Sequence, residues 1–193
     1  MSVRTPSVTR ALDGVDAPAQ RLLDATLVVA PLVYLAVDCS YAARGWDDGP
    51  TAALHIVAAA VYGLAALRLV GLCRGRTQAL LLVVAVLGVI GNAGVGENTL
   101  HVALGGNDLF DEHGPATVFK TMGFFFPLTF LIAAVALRSR APLWWPPLLA
   151  AGAVLFPVAH VANVSWLAIL DAVLMLAALG TCAAVVRAPD PEA

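Results

Sequence analysis

Residues 77–95 read TQALLLVVAVLGVIGNAGV, nineteen positions without a charge. As a helix rising 1.5 Å per residue, this run reaches about 28 Å, close to the roughly 30 Å thickness of a bilayer's hydrocarbon core. Five more apolar runs of similar length surround it, at about 22–43, 51–72, 116–137, 143–161 and 165–186. Turn-forming or charged stretches separate them: Gly45 to Pro50, Arg74 to Arg76, Arg138 to Pro142 and His160 to Ser165. The expected fold is an all-α integral membrane protein, a bundle of six transmembrane helices over residues 22–186. A polar tail, 1–21, precedes it, and a short tail, 187–193, follows.

Composition agrees. Hydrophobic residues make up 60% of the chain and charged residues 12%, whereas soluble domains run at about 45–50% apolar with about a quarter charged. A formal net charge of −2 and a single lysine argue against nucleic acid as a partner, because such proteins need a basic stripe to displace counterions. Cys39, Cys73 and Cys182 form no C-x-x-C pair and no disulfide framework.

Orientation follows from the basic residues, which retard translocation of the loops that carry them. With both termini cytoplasmic, the inner side holds Arg4, Arg10, Arg21, Arg68, Arg74, Arg76, Arg138, Arg140 and Arg187, nine of the eleven basic residues; Arg44 and Lys120 fall outside. The expectation is N-in/C-in, with the loop between the third and fourth helices facing outward.

That loop, Gly96 to Pro115, reads GENTLHVALGGNDLFDEHGP and concentrates two histidines and four carboxylates. A helical turn would put Glu97 and His101 on one face, and Asp108 and Glu112 have the same spacing. All four histidines fall on the outer side in this topology. His55 lies about 6 Å inside its span, Asp38 about 8 Å and Asp171 about 9 Å, and His160 ends the fifth span. Ionisable groups at such depth are expensive, so they turn toward a bundle interior and mark function by default. Helical spacing gives the pocket its walls: Tyr34, Asp38 and Tyr41 share one face, His55 and Tyr62 another, Asp171 and Met175 a third. Gly88, Gly91, Gly94 and Gly96 leave little bulk beside Asn92, suiting either close packing or a locally unwound backbone.

The expected function is a membrane-embedded enzyme with an acid/base pocket open to the outer leaflet, acting on a lipid or lipophilic small molecule by hydrolysis or by proton-initiated rearrangement or cyclisation. Two chemistries fit these residues. In one, His55, His160 and one or both of Glu97 and His101 hold zinc or copper, and Asp38 or Asp171 orients a ligand or acts as base. In the other, Asp38 or Asp171 is a protonated carboxyl and the donor, with Glu97 a further acid/base candidate. Tyr34, Tyr62 and Phe124 then offer π-faces to developing positive charge, and Asn92 contacts substrate. A small substrate-binding transport subunit working with a partner subunit is the alternative, and a haem protein with His55 and His160 as axial ligands is a third. A retinal pigment does not fit, because Lys120, the sole lysine, sits at the outer mouth.

Plainer readings stand beside these. Asp108, Asp111, Glu112 and His113 suit a solvated connection, Lys120 a snorkelling anchor, and Trp46, Trp144, Trp145 and Trp166 an interfacial belt.

Overall fold

A computed structural model of the chain describes residues 17–111 and 114–187. They form α1 (Ala17–Arg44), α2 (Gly49–Leu72), α3 (Gly75–Ala103), α4 (Thr117–Gly123), α5 (Phe125–Ala136), α6 (Trp145–Val161) and α7 (Ser165–Arg187), with no strand among the described residues. Five stretches are long and apolar enough to cross a membrane, α4 and α5 counting as one rod from Thr117 to Ala136; α6, at 17 residues, is the shorter sixth. The chain is a helical, multi-pass membrane bundle in composition and architecture, and Glu112 and His113 lie outside the described residues.

Local chemistry sets the boundaries. Asp48 caps α2, accepting from the Thr51 N–H at 3.0 Å and the Thr51 hydroxyl at 2.5 Å, with Pro50 in the first turn where its missing N–H is not needed. The Thr51 hydroxyl, and then its N–H and Arg44, hold the Asp48 carboxyl below the usual carboxylate range. The third helix runs past residue 95 to Ala103 and stops where Gly105 takes φ +89°, a left-handed conformation that glycine adopts without strain. Glu97 and His101 therefore belong to the helix rather than to a separate piece. The α4–α5 rod is interrupted at Phe124, whose N–H bonds three residues back to the Thr121 carbonyl at 3.2 Å.

Each rod packs on its neighbours in sequence, and α7 returns to α1, closing a ring in the order α1, α2, α3, α4–α5, α6, α7. On one side of the ring the backbones nearly touch. A Cβ added at Gly88 would sit 2.6 Å from the Phe126 nitrogen, and one added at Gly91 would overlap the Met122–Gly123 peptide. The glycines thus allow close packing of an unbroken helix, not an unwound one.

Aromatic rings fill the interior: Tyr34, Tyr62, Phe126 and Phe130 are all buried, and successive pairs meet edge-on or stacked. The outer surface carries exposed Leu32, Val57, Leu80, Val83, Val135 and Val173 instead. Polar groups inside and aliphatic side chains outside are the distribution a hydrocarbon solvent requires. At the end holding the α2–α3 and α5–α6 connections, Arg68 pairs with Asp24 at 2.6 Å, Arg140 Nη1 donates to the Leu72 carbonyl at 2.5 Å, and the Trp145 indole donates to the Ala178 carbonyl at 2.7 Å.

The seam yields a test. Gly91→Ala gains helix propensity but forces α3 away from α4, and overpacking of this kind costs roughly 1–3 kcal/mol. Gly180→Ala, with open space around its Cβ, is neutral or slightly stabilising. Thermal unfolding in detergent is expected to separate the two variants in that direction.

Candidate functional site

The interior polar residues come from five of the six rods but lie toward one end of the bundle. Asp38 is six residues from the end of α1, His55 six from the start of α2, Asp171 six from the start of α7, and His160 one before the end of α6. Six residues of helix are about 9 Å. All four therefore sit at the end where the α1–α2, α3–α4 and α6–α7 connections lie.

Tyr34 is the hub. Its hydroxyl donates to Asn92 Oδ1 at 3.0 Å and lies 2.9 Å from His55 Nε2, while its ring meets His55, Tyr62, Phe126, Phe156 and His160. On its other edge, His55 places Nδ1 3.3 Å from the Tyr41 hydroxyl, and Nε2 is also 3.1 Å from Asn92 Oδ1. A neutral ring with its proton on Nε2 satisfies this set, with Nε2–H donating to Asn92 Oδ1 and Tyr41 O–H donating to Nδ1.

Asp38 and His160 form the second unit, Oδ1 to Nε2 at 3.1 Å, with His160 Nδ1 2.9 Å from the Phe156 carbonyl. Both ring nitrogens face acceptors, an arrangement that an imidazolium saturates and a neutral ring half-saturates. Phe156 stacks on His160 at 4.2 Å between ring centres. Above them Trp46, in the short α1–α2 turn, stacks on Tyr41 at 4.9 Å and stands edge-on to His160 at 5.8 Å. It closes the cluster from its water side.

Asp171 is different. It is 2% exposed, its Oδ1 has no hydrogen-bond partner, and it lies within electrostatic reach of both Asp38 and His160. Its carboxyl borders a cavity of about 10 Å³ whose other walls include Tyr34, Tyr62, Phe126, Phe130 and Phe156. That is room for about one water. Gly152 gives room to two of the lining side chains, since a Cβ there would lie 2.9 Å from Met175 Sδ and 3.3 Å from Asp171 Oδ1. Asp38 Oδ2 and Asn92 Nδ2 are also buried without partners. Each such atom costs about 1–3 kcal/mol unless a water or another group reaches it.

Of the residues singled out in the sequence, Asp38, His55, His160, Asp171, Tyr34, Tyr62 and Asn92 converge here. Glu97 and His101 do not, for both are exposed on the last turns of α3. Phe124 is 54% exposed, and it is Phe126 that enters the cluster. The expected metal set is not assembled: no group of three or more His, Cys, Asp or Glu side chains suited to a metal occurs among the described residues. The two interior imidazoles are engaged instead with Tyr34, Tyr41 and Asn92, and with Asp38. Tyr34 packs edge-on against both His55 and His160, the two residues expected as axial ligands of a haem.

The loop after α3 folds back on its own latch. Asn98, 6% exposed, accepts from the Leu109 N–H at 2.8 Å and donates to Asp108 Oδ1 at 3.0 Å, and that oxygen also accepts from the Phe110 N–H at 2.8 Å. Asp108 is thus a turn-holding residue, while Asp111 lies 3.9 Å from Lys120 with both side chains exposed. Trp46, Phe126, Phe130 and Phe156 are cluster members that sequence spacing does not single out. A tryptophan one residue past Gly45, and a phenylalanine four before His160, were the available signals.

Compared with known proteins, the chain matches no family model, no curated protein and no solved structure.

The two carboxyls are expected to behave oppositely. Asp38→Asn or His160→Gln breaks a buried pair and destabilises by about 3–5 kcal/mol, with the double variant losing less than the sum. Asp171→Asn has no partner at Oδ1 to lose and should change stability by less than about 1 kcal/mol. Unfolding in a mixed-detergent titration measures all four. A loss at Asp171 as large as that at Asp38 would make it a structural residue.

Proposed function

We propose that this chain is a membrane-embedded enzyme that starts a rearrangement or cyclisation of a lipophilic small molecule or lipid by protonating it. The observation that carries the reading is the buried Asp171 carboxyl with an unpartnered oxygen, facing a cavity walled by aromatic rings. Asp171 gives its proton to a carbon–carbon double bond or an epoxide oxygen. The faces of Tyr34, Tyr62, Phe126, Phe130 and Phe156 stabilise the positive charge that then develops. A proton lost from the rearranged cation passes to the Asp38–His160 pair, and its return to Asp171 restores the acid. His55, Asn92 and Tyr41 hold the Tyr34 ring in place. Trp46 and the rings around it exclude water, which would otherwise capture the cation.

A cavity the size of one water holds no substrate, so reaction requires Phe156 and its neighbours to swing aside, and α6 carries Pro157 one residue after Phe156. Metal-assisted hydrolysis has less support, because the interior imidazoles are engaged with other partners and Glu97 and His101 are outside. In this reading all six rods span the bilayer, with both termini cytoplasmic and the cluster in the outer half. The arginine distribution supports that orientation.

The test uses purified protein in bilayers, a panel of lipophilic alkenes and epoxides, and D₂O as solvent. Deuterium is expected in the product, and Asp171→Asn should lower turnover by about a hundredfold or more, while Glu97→Gln and Phe124→Leu leave it unchanged. Full turnover in Asp171→Asn would overturn the assignment. Orientation is checked separately. A cysteine replacing Asp108 should react with an impermeant thiol reagent on intact cells, and one replacing Thr77 should not; the reverse pattern inverts the topology.

A further inference from the structure

The end of the bundle opposite Asp38 and His160 has a feature that the acid/base cluster does not use. Between the first turn of α3 and the last turns of α5 lies an open groove of about 530 Å³. Its lining combines apolar Leu131, Ile132 and Val135 with polar Thr77, Arg138 and Ser139. The apolar part belongs to a helix of membrane-spanning character, and the polar part lies at that helix's end, so the groove straddles the level where acyl chains give way to headgroups.

Its charge is unbalanced. Arg74, Arg76, Arg138 and Arg140 gather at this end, and none has an ion-pair partner among the described residues. The one described acid at this end, Asp24, is occupied by Arg68 at 2.6 Å. Arg138, in the turn after α5, is exposed, and one of its nitrogens donates to the Val135 carbonyl at 3.3 Å, which leaves the rest of the guanidinium fork free.

We infer that this groove binds an anionic diacyl phospholipid of the surrounding leaflet, its phosphate on Arg138 with Ser139 and Thr77 in reach and the upper part of one acyl chain against Leu131 and Val135. A guanidinium matches phosphate oxygens through paired hydrogen bonds, and the field of the neighbouring arginines favours a net negative headgroup over a zwitterionic one. Free inorganic phosphate would leave the apolar half of the groove uncovered, so the lipid is the occupant the lining fits. The inference does not rest on the proposed enzymatic reading.

The test reconstitutes the full chain into nanodiscs of mixed phosphatidylglycerol and phosphatidylcholine at equal mole fraction, with one lipid or the other photoactivatable, and maps the cross-links by peptide mass spectrometry. Phosphatidylglycerol is expected to label the segment 131–139 about fivefold more than phosphatidylcholine, and Arg138→Gln should remove most of that preference, since one interfacial arginine supplies about fivefold in affinity. Arg44→Gln, at the other end, should leave the preference unchanged. Equal labelling by the two lipids, or undiminished preference in Arg138→Gln, overturns the site. Arg138 is exposed, so its loss strands no buried partner; should the variant nevertheless fail to fold, the ratio on the unaltered chain decides alone.

Discussion

Two hydrogen bonds cross the ring rather than follow it. Asp38 on α1 reaches His160 on α6, and Tyr34 on α1 reaches Asn92 on α3, although neither α6 nor α3 packs its backbone against α1. In lipid there is no hydrophobic force between helices to select one arrangement, because the tails outside are as apolar as the side chains inside. Close packing and polar contacts must do that work. Three residues at i, i+4 and i+7, Tyr34, Asp38 and Tyr41, set the rotation of α1, and a turn of that helix by one residue would deliver Asp38 to the hydrocarbon. The polar cluster thereby acts as a registry device, whatever chemistry it carries. Asp171 is the member whose carboxyl makes no such cross-link.

That division explains what was readable in the chain and what was not. Six apolar runs, and the depth of Asp38, His55 and Asp171 within them, can be read because length and residue position along a helix are linear quantities. Which face turns inward is not linear. In Phe124-Phe125-Phe126 three identical side chains point in three directions about 100° apart, and only the neighbouring helices decide that Phe126 is buried while Phe124 meets the outside. The Glu97/His101 pair shows the same limit. Its i, i+4 spacing does place both on one face of a helix, yet that helix runs on past the cluster, and the face is an exposed one.

Trp46 and Asn98 were hidden for a different reason. An indole near a helix end is ordinarily an interfacial anchor, as the position of Trp144 at 53% exposure illustrates. Trp46 instead lies over Tyr41 because Gly45 turns the chain at φ +96° and Asp48 restarts the helix three residues on. Asn98 holds the loop after α3 through bonds to residues ten and eleven positions later. Such contacts depend on where the loop returns, which no local pattern specifies. The acids of that loop have ligand and acid/base chemistry, but Asp108 serves a turn and the Asp111 side chain is exposed.

The ring is not equally firm all round, and the difference bears on how a lipophilic molecule would reach Asp171. Where α3 meets α4 and α5, Gly88 and Gly91 bring backbone against backbone; nothing there can rotate out of the way, and separating the rods would forfeit many contacts at once. Where α5 meets α6, the filling is Phe126, Phe130 and Phe156, with Pro127 and Ala153 beside them. Aromatic pairs contribute only about 0.5–1.5 kcal/mol each beyond their burial, and a ring clears a path by changing rotamer without moving its helix. Pro157 lowers the resistance further, since it removes one backbone hydrogen bond from α6 in the turn that carries Phe156 and His160. The same motion that admits a molecule from the bilayer would lift Phe156 off His160, so access to the Asp171 cavity and exposure of the Asp38–His160 pair are mechanically one event on the α5–α6 side of the ring.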